Sequence, residues 1–309
     1  MGKKLQEETG MFTLENTCIE KGCLKGEVAL VTGATSNVGK GYAQALAWAG
    51  AKVVVVGRNA QRGAAVIEEI NRDNGEGTAI FVSADVSREE DIARLKEEAY
   101  AAFGKVDILI NNAMDMSLNG PILGAKVDEL DRSYAISARA VLLTVNAFVP
   151  DMVERAHGTV VYSTTQFHYM PPMIGGSVYT AGKAAATSAT MSLSNEIAGS
   201  GVNVFCLAPG GVGVINPDSV DDPEAVAQRI KMPGFNGLIP IDAAGAGLVY
   251  CILHGEEIHG SGLIVGNVLK EMDYPFPAPE TLRPNLMDSV DGMPLTMFFC
   301  YMGKGFPKK

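Results

Sequence analysis

The stretch VALVTGATSNVG at residues 28–39 joins an apolar run to a turn of small residues, and an alanine-rich helical pattern follows at residues 42–50. An apolar run that stops at glycine ahead of a helical pattern predicts a strand, a tight turn and a helix. In such a turn the backbone N–H groups approach a pyrophosphate, and the positive end of the helix dipole stabilises the anion. The stretch therefore predicts a phosphate-binding turn.

The residue types in this turn suit the backbone that it requires. Gly33 permits the tight turn, and Gly39 permits close packing of the helix on the strand. Asn37 stands where a second glycine is usual, and asparagine tolerates a left-handed backbone better than most residues. We expect the following residues to contact the phosphates of a dinucleotide: Gly33, Thr35, Ser36, Asn37, Val38 and Gly39.

Outward from this turn, apolar runs alternate with helical patterns. The run AKVVVVG at residues 51–57 is continuously β-branched, which is typical of a strand buried on both faces of a parallel sheet. Further strands are predicted at residues 78–82, 106–110, 158–163, 202–207 and 262–265, and further helices at residues 62–71, 88–103, 127–155, 179–199 and 243–253. This alternation predicts an α/β fold with a doubly wound parallel sheet, a Rossmann-like three-layer αβα sandwich with right-handed crossovers.

Differences in composition divide the 309 residues into a central domain and two extensions. Residues 25–266 are expected to form a single dinucleotide-binding and catalytic domain. Residues 1–24 are polar and form an N-terminal extension, expected to be a mobile or docking tail. Residues 267–309 form a C-terminal extension whose apolar, aromatic part, residues 293–302, is expected to serve as a lid or an interface arm, because such a stretch is prone to aggregate when bare in water.

Composition excludes several classes of function. A formal net charge of −10 without a basic patch argues against a nucleic-acid partner. The absence of eighteen consecutive apolar residues argues against a membrane span, and residues 1–22 lack the apolar core of a secretory signal. Five widely spaced cysteines are typical of reduced thiols. We therefore expect a cytoplasmic protein with no membrane partner.

A metal site is not expected. Cys18 and Cys23 lack the second pair that a zinc site needs. His254 and His259 are five residues apart, so the spacing that places two histidines on one face of a helix is missing.

The end of the second strand indicates which dinucleotide is bound. The segment Val56-Gly57-Arg58-Asn59 lacks the acidic residue that binds the adenosine ribose of NAD. Arg58 stands there instead, and a guanidinium pairs well with a 2′-phosphate. The sequence therefore favours NADP as cofactor over NAD.

Tyr179 and Lys183 are four residues apart on a predicted helix and share one face. The lysine charge is expected to favour tyrosinate and lower the pKa of the tyrosine. Four further motifs occur with this pair in order along the chain: Thr32-Gly33…Gly39, Ala84-Asp85-Val86, Asn111-Asn112-Ala113 and Pro209-Gly210. This combination resembles the short-chain dehydrogenase/reductase family over roughly residues 25 to 266.

The resemblance implies a role for each matching residue. Tyr179 matches the acid that protonates the carbonyl oxygen during reduction, and Lys183 matches the lysine that tunes it and binds the nicotinamide ribose. The resemblance also implies cofactor contacts near the adenine, at the strand end and beside the nicotinamide: Asp85, Val86, Asn111, Asn112, Ala113, Pro209, Gly210 and Val212.

The chain departs from the family pattern at several positions. The catalytic serine falls on Thr165 if one extra residue precedes Tyr179, and on Gln166 without it; Ser163 and Thr164 remain open as the hydroxyl donor. The asparagine of the proton relay falls on Ser137. Met114 replaces a glycine near the cofactor, and Val214 replaces a threonine beside the nicotinamide.

Two hypotheses follow. The resemblance implies an oxidoreductase that moves a hydride between NADP(H) and the carbinol or carbonyl carbon of an alcohol or ketone; methionine- and aromatic-rich flanks suggest a hydroxysteroid or another apolar alicyclic alcohol. The alternative is a non-enzymatic NADP-binding sensor or scaffold, motivated by Ser137, Met114 and Val214. The retained Tyr179 and Lys183 argue for the enzyme. The resemblance also implies a homodimer or homotetramer built through the helices at residues 127–155 and 179–199.

Overall fold

A computed structural model describes residues 14, 17–115, 117–118, 122–165, 176–210, 212 and 241–272. Seven strands are formed: β1 Val28–Thr32, β2 Lys52–Gly57, β3 Ala79–Ser83, β4 Ile108–Asn111, β5 Gly158–Ser163, β6 Val202–Ala208 and β7 Gly262–Ile264. The α-helices are α1 Asn37–Trp48, α2 Ala60–Asn74, α3 Glu89–Phe103, α4 Val127–Tyr134, α5 Ala140–Glu154, α6 Ser177–Glu196, α7 Ile241–Leu253 and α8 Val265–Glu271.

The strands form one parallel sheet in the order β3-β2-β1-β4-β5-β6-β7. The chain runs outward from β1 to β3 and then returns to place β4 on the other side of β1, so the order reverses between β1 and β4. The predicted doubly wound α/β fold is confirmed. In such sheets ligands bind outside the carboxyl ends of the strands at this reversal.

The β-branched composition of the central strands reflects burial on both faces. In β1, Ala29 and Val31 face one apolar cluster, and Val28 and Leu30 face the other. The valines of β2 alternate between the same two clusters, and all four are inaccessible to solvent. Because both faces are apolar, the polar groups of the sheet gather at its two ends.

One long helical stretch, Val127–Glu154, contains an 18-residue window with a mean hydropathy of 1.4, so by length and composition alone it could cross a membrane. A π-helical turn, Ala135–Arg139, divides it into α4 and α5. Phe148 and Met152 of α5 are buried in the core beside the sheet. The stretch thus packs as a core helix of an α/β fold does, and the single helix predicted at residues 127–155 is interrupted by the π-turn.

Both extensions begin within the packed structure. Ile19 and Leu24 are buried in the core, and the Leu24 N–H donates to the Ala49 carbonyl at 2.6 Å. The described part of the N-terminal extension therefore lies against the end of α1. At the other end, helix α8 continues past residue 266, and Leu269 and Met272 are buried. The apolar stretch at residues 293–302 lies outside the described residues.

A buried carboxylate, that of Asp107, lies at the amino ends of β1 and β4. Asp107 is fully buried, accepts a hydrogen bond from the Val28 N–H at 3.0 Å, and forms ion pairs with Arg155 and with Lys105, the latter at 2.7 Å. Glu27 and His157 also lie within reach of Asp107, with ligand atoms within 4.8 Å of one another. Since two cations already pair with Asp107, we interpret this group as an ion-pair network.

We expect Asp107→Asn to lower the free energy of unfolding by about 3 kcal/mol, because it removes one partner of a buried ion pair and leaves the others uncompensated. Urea unfolding followed by circular dichroism measures this. Asp73→Ala, which removes the exposed pair with Arg72, is the control and should change stability little. A cost for Asp107→Asn as small as that of the control would contradict the assignment.

Candidate functional site

A cleft of about 750 Å³ opens at the carboxyl ends of the strands, beside the reversal between β1 and β4. Every residue predicted as a cofactor contact from the turn, strand ends and helix lines it, except Asn111, which lies buried in β4. The lining also includes residues that were not predicted as contacts: Gly57, Asn59, Arg62, Ala84 and Ile136. Segments far apart in the chain therefore meet in one cleft.

The turn at residues 33–36 lies at this cleft, and one of its N–H groups, that of Ala34, donates to the Val56 carbonyl at 3.0 Å. Gly33 has φ +66°, and Asn37, the first residue of α1, has φ +46°, the left-handed backbone that asparagine tolerates. The side chain of Ser36, at the N-cap position, makes no capping hydrogen bond, and the first turn of α1 holds no acidic residue. The N–H groups at this helix end are thus left for an anion.

Gly39 is required by close packing. A Cβ atom at this position would overlap the carbonyl of Gly33 and the amide nitrogen of Asn112. The Asn112 side chain donates to the Thr32 carbonyl at 3.0 Å, and the Thr32 hydroxyl accepts from the N–H groups of Asn112 and Ala113 at 2.9 and 3.1 Å. These contacts join the ends of β1 and β4 and leave room for the turn between them.

Two guanidinium groups lie at the end of the cleft beside β2, which we call the far end; the near end is the one beside Tyr179 of α6. The Arg58 side chain follows β2, is 67% exposed, and lies 3.9 Å from an Asp85 carboxylate oxygen. Arg62, one helical turn further along in α2, lines the same end. The side chain of Asn59 is occupied as N-cap of α2, accepting from the Arg62 N–H at 2.9 Å. The spacing of four residues between the two arginines is the signal by which Arg62 could have been found.

Tyr179 and Lys183 lie on the first two turns of α6 at the near end of the cleft. The Tyr179 side chain is hydrogen-bonded to Thr165. The Lys183 ammonium donates to the Ser163 carbonyl and lies 4.9 Å from the centroid of the Tyr162 ring. The reactive pair predicted from spacing is thus placed together with one of the candidate hydroxyls.

Burial dominates the acidity of both groups. It raises the pKa of Tyr179 to about 12, and the hydrogen bond with Thr165 offsets only part of this rise. Burial lowers the pKa of Lys183 to about 7. The net shift of the Tyr179 pKa is therefore opposite to the expected lowering by Lys183, because the effect of burial outweighs that of an ammonium that donates to a carbonyl.

The three candidate hydroxyl donors, Ser163, Thr164 and Thr165, have different surroundings. Thr164 Oγ1 lies 2.6 Å from Thr187 Oγ1, and the Thr187 hydroxyl also donates to the Lys183 carbonyl at 2.8 Å. Ser163 holds the Lys183 ammonium through its backbone carbonyl. Thr165 is the candidate hydroxyl that contacts Tyr179. Gln166 lies outside the described residues, as does Val214.

Ser137 is buried in the π-turn and does not line the cleft. Its hydroxyl donates to the sulfur of Met114 at 3.6 Å, and Met114 lines the cleft. Nearby, the Ser133 hydroxyl donates to the Val178 carbonyl at 2.9 Å, and a Cβ at Gly182 would overlap the Ser133 hydroxyl. Helix α4 and the π-turn therefore hold the part of α6 that carries Tyr179.

Comparisons with known proteins agree with this geometry. The profile of short chain dehydrogenases matches residues 27–223. An uncharacterized oxidoreductase of Staphylococcus saprophyticus is 34% identical over 191 residues, which cover 61% of this chain and 80% of that protein.

Similar solved structures include two that hold a nicotinamide cofactor. One is a 3-ketoacyl-(acyl-carrier-protein) reductase from Brucella melitensis complexed with NADH, with a TM-score of 0.68 and 29% sequence identity. The match covers 78% of this chain and 97% of the reductase chain. A short chain dehydrogenase from Burkholderia cenocepacia in complex with NADP has a TM-score of 0.66 and 28% identity, covering 78% and 96%. Between them, these structures hold both forms of the nicotinamide cofactor.

We expect Gly39→Ala to weaken binding of a nicotinamide dinucleotide at least about tenfold, because the added methyl group pushes α1 away from the turn. Fluorescence titration with NADPH measures the affinity. Gly247→Ala, inside α7 and away from the cleft, is the control, since its Cβ would lie 3.2 Å from the nearest atom, a methyl group of Val265. Equal affinities of the two variants would contradict the assigned role of Gly39.

Proposed function

The chain belongs to the short-chain dehydrogenase family, and from that premise we propose that it transfers a hydride between NADP(H) and the carbinol or carbonyl carbon of an alcohol or ketone. Membership of this oxidoreductase family and its cofactor-bound neighbours support a nicotinamide cofactor. The observation that carries the proposal is the hydrogen bond between Tyr179 and Thr165 in the cleft that the phosphate turn also lines.

The residues present fit a dinucleotide. The uncapped start of α1 and the glycine at position 39 leave donors and space for a pyrophosphate. The bound cofactor supplies or accepts the hydride. Lys183, at the near end of the cleft, is the residue that would hold the ribose next to the nicotinamide.

The chain's own groups handle the oxygen and its proton. During reduction the Tyr179 hydroxyl donates its proton to the substrate oxygen, and the Thr165 hydroxyl donates a second hydrogen bond to that oxygen. The resulting phenolate lies in a buried site, where a nearby ammonium stabilises it. Because burial lowers the pKa of Lys183 to about 7, this ammonium is lost as the pH rises above about 7. Reduction is therefore favoured on the acid side of neutrality.

NADP is the form of the cofactor that we propose. Arg58 and Arg62 both line the far end of the cleft, and a guanidinium pairs with a phosphate through two parallel hydrogen bonds. Asp85 lies 3.9 Å from Arg58 and is further engaged by Ser87, whose hydroxyl donates to it at 2.7 Å. The charge near the expected 2′-phosphate is thus supplied mainly by the two arginines.

An apolar substrate is also part of the proposal. Met114 and Ile136 line the same cleft as Tyr179. Such a lining suits a hydroxysteroid or another alicyclic alcohol better than a polar sugar, because methionine adapts to irregular apolar shapes.

We propose, further, a cytoplasmic homodimer or homotetramer assembled through the helices at residues 127–155 and 179–199. Exposed apolar side chains on α5 support this, since Leu142 is 58% and Val153 is 37% exposed. A monomeric mass by light scattering at micromolar concentration would contradict the oligomer.

Tyr179→Phe is expected to lower the rate of carbonyl reduction by about 10²- to 10⁴-fold, because it removes the proton donor. NADPH oxidation against a panel of ketones measures the rate. Thr165→Val should also lose activity, whereas Thr164→Val, its neighbour with a hydroxyl directed at Thr187, should retain most of it. Unchanged turnover in Tyr179→Phe would exclude the assigned acid, and tight NADPH binding without turnover of any carbonyl by the unmodified protein would favour a sensor.

Arg58→Gln is expected to weaken NADPH binding by about 10- to 100-fold and to leave NADH binding unchanged, because one charge-assisted contact to the 2′-phosphate is lost. Titration with both cofactors measures the difference. Arg72→Gln, at an exposed arginine at the other end of α2, is the control. An equal loss for NADH and NADPH would show that Arg58 does not discriminate between them.

A further inference from the structure

The ring of Tyr162 lies directly beside the Lys183 ammonium. Tyr162 belongs to β5, is 2% exposed, and packs with Val141, Ala186 and Cys206 in a small apolar cluster. The Lys183 nitrogen lies 4.9 Å from the centroid of its ring. A cation at this distance from an aromatic ring is attracted by the negative charge of the ring face.

Few other groups stabilise this ammonium. The ammonium donates to the Ser163 carbonyl of β5 and lies over the ring of Tyr162 in the same strand. Cys206 of β6 interacts with it electrostatically, and Tyr179 lies one turn away on the same helix as Lys183. Burial raises the pKa of the Cys206 thiol and of both phenols, so all three are neutral at physiological pH. Among the described residues no carboxylate forms an ion pair with Lys183. One carbonyl and one aromatic face are therefore its main electrostatic support.

We propose that Tyr162 is a positioning residue for Lys183, whose ring face holds the buried ammonium in its charged form at the cleft. The site predicted from family resemblance contains no role for this position. In so far as Lys183 acts in catalysis, the inference rests on the proposed oxidoreductase function. The contact itself does not depend on that function.

The contributions of the Tyr162 ring and of its hydroxyl can be distinguished experimentally. Ser137 lies within reach of the hydroxyl, but in the described part of the chain that oxygen makes no full hydrogen bond. The ammonium contacts the ring face. Phenylalanine should therefore replace tyrosine here without loss of the contact, whereas leucine should not.

The test compares Tyr162→Phe with Tyr162→Leu in the full chain. The pKa of Lys183 is read from the ¹³Cε chemical shift in lysine-labelled protein, with the signal assigned by its absence in Lys183→Met. We expect Tyr162→Phe to titrate as the unmodified protein does, and Tyr162→Leu to titrate about one unit lower, because the attraction of the ring is lost. An equal shift in both variants, no shift in either, or a higher pKa in Tyr162→Leu would overturn the proposal.

The pH profile provides a second readout. In the unmodified protein, kcat/KM for reduction should fall as the pH rises through the pKa of Lys183, and this limb should move to lower pH in Tyr162→Leu only. If no carbonyl is reduced but the NMR difference is present, the proposed function fails and the inference holds. If reduction occurs but the two variants titrate alike, the inference fails and the proposed function stands.

A third replacement preserves the shape of the ring, in case Tyr162→Leu does not fold. Phenylalanine with fluorine atoms on the ring, placed at position 162, weakens the charge of the ring face at nearly constant volume. Each added fluorine should lower the pKa of Lys183 further relative to Tyr162→Phe, and an unchanged pKa across the series would refute the contact. Thermal unfolding of each variant confirms that the fold is retained.

Discussion

Burial of the sheet on both faces is the constraint on which the rest of the structure depends. Strands such as β1 and β2 expose almost no side chain to water, and their polar side chains lie at the ends of the strands. At one end the fully buried Asp107 is neutralised by Arg155 and Lys105. At the other end the strands stop at a cleft in which backbone donors remain available. The two ends thus divide structural and chemical roles between them.

The same burial determines the chemistry of the cleft. An ammonium and a phenol placed against apolar strands both lose the solvation of their charged forms. The pKa of Lys183 falls to about 7 and that of Tyr179 rises to about 12, so at neutral pH the phenol is neutral and the lysine is only partly protonated. The charged form of each group then depends on its neighbours, which include the Thr165 hydroxyl beside Tyr179 and the Tyr162 ring beside Lys183.

Local patterns made much of this arrangement predictable. The small residues of the phosphate turn and the four-residue spacing of Tyr179 and Lys183 are local steric signals, and they correspond to a turn and a helix face that line one cleft. The direction of the pKa shifts was not predictable, because burial comes from β5 and β6, which are distant in sequence from Lys183. The partner of Ser137 was missed for a similar reason, since Met114 lies in another segment of the chain.

The contact between α4 and α6 has a mechanical consequence. Gly182 lies so close to Ser133 that no atom fits between the two backbones, and the Ser133 hydroxyl is also bonded to the residue that precedes Tyr179. The two helices therefore cannot slide independently. A movement of α4 would therefore also move Val178, the residue next to Tyr179, so the position of the phenol depends on a helix contact that lies outside the cleft.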